Sequence, residues 1–164
     1  LDYTKELSDC KNFGDIFNLV KRVVKETLGK SRAGLMLYLA DLPLSIGAFH
    51  AFGTNGIVLN KKLLEMLGKE SKSNKEFNSF VFTLLLHEYL HSLGYVDERQ
   101  VRDLTHRIVK EKFGEDKSIS DIFLKVSKLL LKTFKPYDEL IFSPSESEIE
   151  IVPNFERENQ KYIN

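Results

Sequence analysis

Apolar residues recur at helical spacing through FGDIFNLVKRVVKETL, residues 13 to 28, where Phe13, Ile16, Phe17, Val20, Val23, Val24 and Leu28 share one face. That period predicts an amphipathic helix ended by Gly29. The apolar run AGLMLYLAD (33 to 41) is too short for a helix and predicts a buried strand, with Pro43 as the breaker after it. IGAFHAFGTNGIVLN (46 to 60) predicts two strands around a turn at Gly53, Thr54, Asn55 and Gly56, residue types that accept positive φ. A short helix, KKLLEML, follows and is expected to stop at Gly68. After the polar KESKSNK comes a long helix over residues 74 to 93, capped by Ser73 or Asn74 and followed by Gly94. Its apolar residues lie all round, which predicts a central, buried helix.

Asp97 is positioned to cap the next helix, ERQVRDLTHRIVKEKF, with Gln100 completing a capping-box pattern and Gly114 ending it. A further helix is expected over residues 120 to 134. The tail from Pro136 is acidic and serine-rich, then alternates like a strand in SESEIEIVP. Strands come early and helices late, so the expected class is α+β. The expectation is one domain over residues 1 to 164, with the tail 136 to 164 able to fold back over a cleft.

Within the buried helix, LLLHEYLHSLGYVDE (84 to 98) sets His87, Glu88 and His91 in an apolar run. Residues four apart on a helix share a face, so the two imidazoles can reach one Zn²⁺ at about 2.0–2.1 Å each. Glu88, beside His87, can take a proton from a water polarised by that ion. Burying three such groups together without a metal would cost desolvation with no clear partner. Leu84, Leu85, Leu86, Leu90 and Leu93 would dry the surroundings.

At these residues the chain resembles the zincin metallopeptidases. The resemblance implies a small mixed sheet packed on the motif-bearing helix, an edge strand that pairs with extended substrate, and additional C-terminal helices here. It also implies peptide-bond hydrolysis with Zn²⁺ as cofactor, Glu88 as general base, and a peptide or unfolded protein as substrate. The extended pattern His87-Glu88-x-x-His91-x-x-Gly94-x-x-Asp97 is similar to the metzincin consensus, with aspartate at the third ligand position as in the snapalysin type. Metzincins carry a methionine downstream of the motif, whereas Met36 and Met66 both lie upstream. In the gluzincin pattern, shared by small minigluzincins, a glutamate on the following helix binds the metal, and Glu98 fits that place. Asp97 is the narrowly favoured third ligand and Glu98 the alternative, with His106 a third candidate.

Other residues admit weaker roles. His50, in an expected edge strand, could line the cleft or stabilise an oxyanion, and Tyr95 could do the same from the loop. Tyr89 is expected in the core, Arg99, Arg102 and Arg107 on a solvated helix face, and Cys10 is expected to be inert. Glu146, Glu148 or Glu150 of the tail could reach the metal and hold the protein latent.

Composition narrows the field. The chain has 164 residues, 42% of them apolar, and equal numbers of acidic and basic side chains. A balanced charge argues against binding duplex nucleic acid, whose phosphates need a basic surplus. It also does not favour a metal-dependent RNA hydrolase. The single cysteine rules out an intramolecular disulfide. No run approaches the ~20 apolar residues of a membrane span, and LDYTKELSD has no apolar signal core, so a cytoplasmic location is expected. The alternative function is a zinc-bearing binding or regulatory module without catalysis.

Overall fold

The computed structural model describes residues 2–133, 149–153 and 155. Among them are six helices and four strands, in an α+β arrangement. The helices are α1 (Tyr3–Asp9), α2 (Phe13–Leu28), α3 (Lys61–Glu70), α4 (Asn74–Ser92), α5 (Glu98–Phe113) and α6 (Lys117–Thr133). The strands are β1 (Met36–Ala40), β2 (Ala48–His50), β3 (Gly56–Asn60) and β4 (Ile149–Ile151). No described helix is long and apolar enough to cross a membrane.

The strands form a mixed open sheet in the order β2-β3-β1-β4. β2 and β3 are an antiparallel hairpin, with Ala48 opposite Leu59 and His50 opposite Ile57. β1 runs parallel to β3, with Leu37 beside Ile57 and Leu39 beside Leu59. β4 closes the other edge antiparallel to β1, with Tyr38 opposite Ile151. The described part of the tail therefore extends the sheet on the edge away from β2. Glu150 pairs with Lys61 at 3.1 Å, and Phe155 stacks on Phe17 with ring centroids 4.2 Å apart. Glu146 and Glu148 lie outside the described residues.

α4 is central. Every residue from Asn78 to Ser92 is buried, and the helix packs against α1, α2, α5, α6, β2 and β3. A helix apolar on all sides needs cover on all sides, and these elements supply it. Ser73 caps its start by accepting the Glu76 N–H. Asn78, also buried, donates from Nδ2 to the carbonyls of Leu7 and Cys10 at 2.8 and 2.9 Å, satisfying the end of α1.

α1 has no forerunner among the expected elements. It is seven residues long, too short for its apolar period to stand out, and tertiary packing of the fully buried Leu7 holds it. α3 passes through Gly68 to Glu70, where Ser71 accepts the role of cap. A glycine inside a helix is a modest cost, offset here by the buried Leu63, Leu64 and Leu67.

A buried side chain sets the path into β2. Asn60 is fully buried and donates from Nδ2 to the carbonyls of Leu42, Pro43 and Ile46 at 3.2, 3.1 and 2.8 Å. Its Oδ1 accepts from the N–H groups of Leu42 and Lys62. One amide thus folds the loop after β1 and caps α3.

Candidate metal centre

α4 ends in a turn that builds the site. Gly94 adopts φ 102°, a conformation costly for residues with a Cβ. Its N–H donates to the His91 carbonyl at 3.0 Å, and the Tyr95 N–H donates to the Leu90 carbonyl at 3.3 Å. This is the paired closure of a Schellman motif, with Leu90 in the core and Tyr95 partly buried against it. The reversal directs the Tyr95 carbonyl back at the helix it has just left. His91 Nδ1 stands 2.8 Å from that oxygen. A carbonyl oxygen only accepts, so Nδ1 carries the hydrogen, and in the neutral ring Nε2 presents a lone pair.

The same reversal returns Glu98 to the motif helix. His87 Nε2 lies 3.0 Å from Glu98 Oε2, and His91 Nε2 lies 2.8 Å from Glu98 Oε1. The two Nε2 atoms are 3.2 Å apart. Nitrogen lone pairs and a carboxylate converging at this range repel unless positive charge, a proton or a cation, lies among them. Among the described residues, His87, His91 and Glu98 are the group able to hold a metal ion. Both imidazoles are buried, at 7% and 6% exposure, while the Glu98 side chain is 30% exposed.

No family model matches this chain, and no curated protein or solved structure is significantly similar to it.

The third member of the group is Glu98 and not Asp97, the position favoured from the sequence. Asp97 is exposed and its Oδ1 accepts the Arg99 N–H at 2.8 Å as the cap of α5. A carboxylate committed to the helix start faces its own backbone. Glu98, the first residue of the helix, projects toward the imidazoles and gains from the positive end of the helix dipole. His106 is exposed, with its ring beside Phe123 and outside the group.

Charge in the group follows from its surroundings. Burial alone would lower the His91 pKa, but the hydrogen bond to Glu98 and the charges of Glu88 and Glu98 raise it above its ordinary value. Burial works against the Glu98 carboxylate, yet the hydrogen bonds and charges of His87 and His91 hold it down at about 2. Glu88 is 4% exposed, and burial raises its pKa despite the opposing charges of His87 and His91. The Glu88 and Glu98 carboxyl groups are thus pushed in opposite directions.

The edge strand β2 brings two rings to the site. His50 Nδ1 donates to the Gly56 carbonyl at 2.8 Å. Burial chiefly lowers its pKa, so the ring is neutral near pH 7 and Nε2 has no hydrogen to give. Phe52, just past the strand, sets its ring edge-to-face with both His50 and His91, at 6.0 and 5.9 Å between centroids. Phe52 carries no period or motif that would mark it in the sequence.

The remaining candidates sit elsewhere. Tyr89 is fully buried, and its hydroxyl accepts the Arg32 N–H at 3.0 Å. Tyr95 contributes its backbone carbonyl to His91. Arg107 pairs with Glu111, one turn along α5. Cys10 is half-buried, and its thiol donates to the Glu6 carbonyl at 3.3 Å.

Proposed function

We propose that this protein is a zinc-dependent peptidase of zincin type. The observation that carries the reading is the convergence of His87 Nε2, His91 Nε2 and the Glu98 carboxylate within 3.2 Å of one another, with Glu88 buried next to His87. A tetrahedral ion bonded at 2.0–2.1 Å separates its ligands by roughly 3.3 Å. The three contacts approach that spacing, and two nitrogens with one carboxylate oxygen form a donor set suited to Zn²⁺.

When bound, zinc supplies an acidified water and polarises the carbonyl under attack. The chain's own residues do the rest. His91 is held in one tautomer by the Tyr95 carbonyl, which keeps its Nε2 aimed inward and raises its basicity as a ligand. The Glu88 carboxylate takes a proton from the attacking water and passes it to the leaving amine nitrogen, so the C–O bond forms as the C–N bond breaks. Among the described residues β2 is an edge strand of the sheet, antiparallel to β3 and packed against α4, and an extended peptide can pair with its outer edge.

The test combines elemental analysis with hydrolysis of an unfolded protein by the full chain. About one zinc per chain is expected in the wild type and in Glu88→Gln, with hydrolysis lost by a factor of about 10²–10⁴ in the variant. A Glu88→Gln variant as active as the wild type overturns the reading. The depth of both imidazoles favours one alternative, a metal-bearing binding module without catalysis, for which zinc is retained and no hydrolysis occurs in either protein.

A further inference from the structure

Between α2 and β1, the connector of residues 29–35 touches the site's supports at several points. The Arg32 N–H donates to the Tyr89 hydroxyl at 3.0 Å. Arg32 Nη1 donates to the Ser92 carbonyl at 2.6 Å, and Nη2 donates to the Thr54 carbonyl at 2.7 Å. Two residues earlier, Lys30 Nζ sits 4.5 Å from the centre of the Tyr95 ring.

Three of these partners, Ser92, Tyr95 and Thr54, lie next to His91 or to a group that touches it. Ser92 is the last residue of α4, and its carbonyl is one the helix cannot satisfy internally. A guanidinium there answers both the orphan carbonyl and the negative end of the dipole. Tyr95 gives His91 its Nδ1 acceptor. Thr54 lies in the β2–β3 turn, two residues from the Phe52 ring that leans on His91. The turn has further ties of its own, since the Thr54 N–H and hydroxyl donate to the Ala51 carbonyl at 3.1 and 2.6 Å. One rigid fork thus spans the end of the motif helix and the hairpin.

We propose that Arg32 is a positioning residue for the metal centre, locking the turn after α4 and the β2–β3 hairpin around His91. The inference rests on the metal-site reading above. Groups bonded directly to a ligand set its orientation, and removing one typically weakens metal affinity 10- to 100-fold; Arg32 acts one contact further out, at the lower end of that range. Lysine keeps the charge but cannot bridge two carbonyls in fixed geometry.

The experiment titrates the metal-free full chain with Co²⁺, whose visible absorption reports both affinity and ligand geometry. Arg32→Ala and Arg32→Lys are each expected to bind Co²⁺ about tenfold more weakly, with an altered spectrum. Glu26→Gln loosens contacts of Tyr3 and Lys112 and serves as the control for general loss of stability, with Co²⁺ affinity expected to stay at the wild-type level. Arg32 variants that are folded and bind Co²⁺ like the wild type overturn the proposal. A wild type that binds no Co²⁺ instead removes the metal reading itself. Hydrogen exchange on the wild type gives a second measurement, independent of whether a variant folds. Co²⁺ should slow exchange in residues 29–35 and 51–55 as well as in 84–98, because coupling is reciprocal. Protection confined to 84–98 counts against Arg32.

Discussion

His91 donates from Nδ1 to the carbonyl oxygen of Tyr95, four residues further on and 2.8 Å away. The contact exists because the chain reverses at Gly94, and it decides which ring nitrogen is free for a metal. Substituting Gly94 should therefore affect stability and metal binding together. A Cβ there meets no neighbour within 4 Å, so the cost is conformational and comes from φ 102°. Gly94→Ala is expected to lose about 1–2 kcal/mol in urea melts and to bind Co²⁺ more weakly. A stability loss with unchanged Co²⁺ affinity would show that the carbonyl contact is irrelevant to the site.

Neighbouring acids should part company on substitution. Asp97→Ala removes a helix cap and should cost about 1 kcal/mol while the metal stays. Glu98→Ala should lose the metal and little intrinsic helix stability. Metal content by elemental analysis, read beside the thermal midpoint, separates the two. The assignment fails if Asp97→Ala is the variant that comes out empty.

Without metal, pH should act on the group from both sides. His91 has a raised pKa in the fold, so its contribution is complete below its ordinary 6.5 and fades as pH climbs through the raised value. Glu98 has a lowered one, so its contribution is complete above 4.5 and fades as pH falls toward about 2. As far as this pair is concerned, the metal-free protein is most stable between those limits. Metal binding must displace the His91 proton, so affinity should weaken as pH falls through that group's titration. Calorimetry in buffers of different ionisation heat should detect proton release near pH 7. Binding without proton release would contradict the arrangement.

Asn60 should be the most sensitive polar position outside the site. Asn60→Ala orphans the carbonyls of Leu42, Pro43 and Ile46 and the N–H groups of Leu42 and Lys62. A loss of about 2–4 kcal/mol is expected in urea melts, and a loss under about 0.5 kcal/mol would mean that water replaces the amide.

Cys10 should resist alkylation. Burial pushes its thiol from 9.0 up to about 11, with the nearby acids Asp15 and Glu6 adding to the rise. At pH 8 this leaves roughly a hundredfold less thiolate than an unperturbed group. Iodoacetamide should label the folded chain far more slowly than the urea-denatured chain, and equal rates would refute the burial argument.

The amino-acid sequence by itself determined what depends on local period and local chemistry. The 3.6-residue rhythm set α2, the all-round apolar character made α4 central, and turn residues bounded the β2–β3 hairpin. The four-residue spacing of His87 and His91 placed their rings on one face before any tertiary contact was considered. Tertiary structure alone decided the rest. A choice between Asp97 and Glu98 depends on where two adjacent side chains point after a reversal, and one residue's rotation about the chain separates a helix cap from a carboxylate that meets the two imidazoles. Likewise, Arg32 and Phe52 lie about 60 and 40 residues from the motif, and no periodicity reports contacts made across such gaps. Those contacts arise only when the sheet and the central helix pack, because hydrogen bonds and ring contacts act over a few ångströms of space and take no account of distance along the chain.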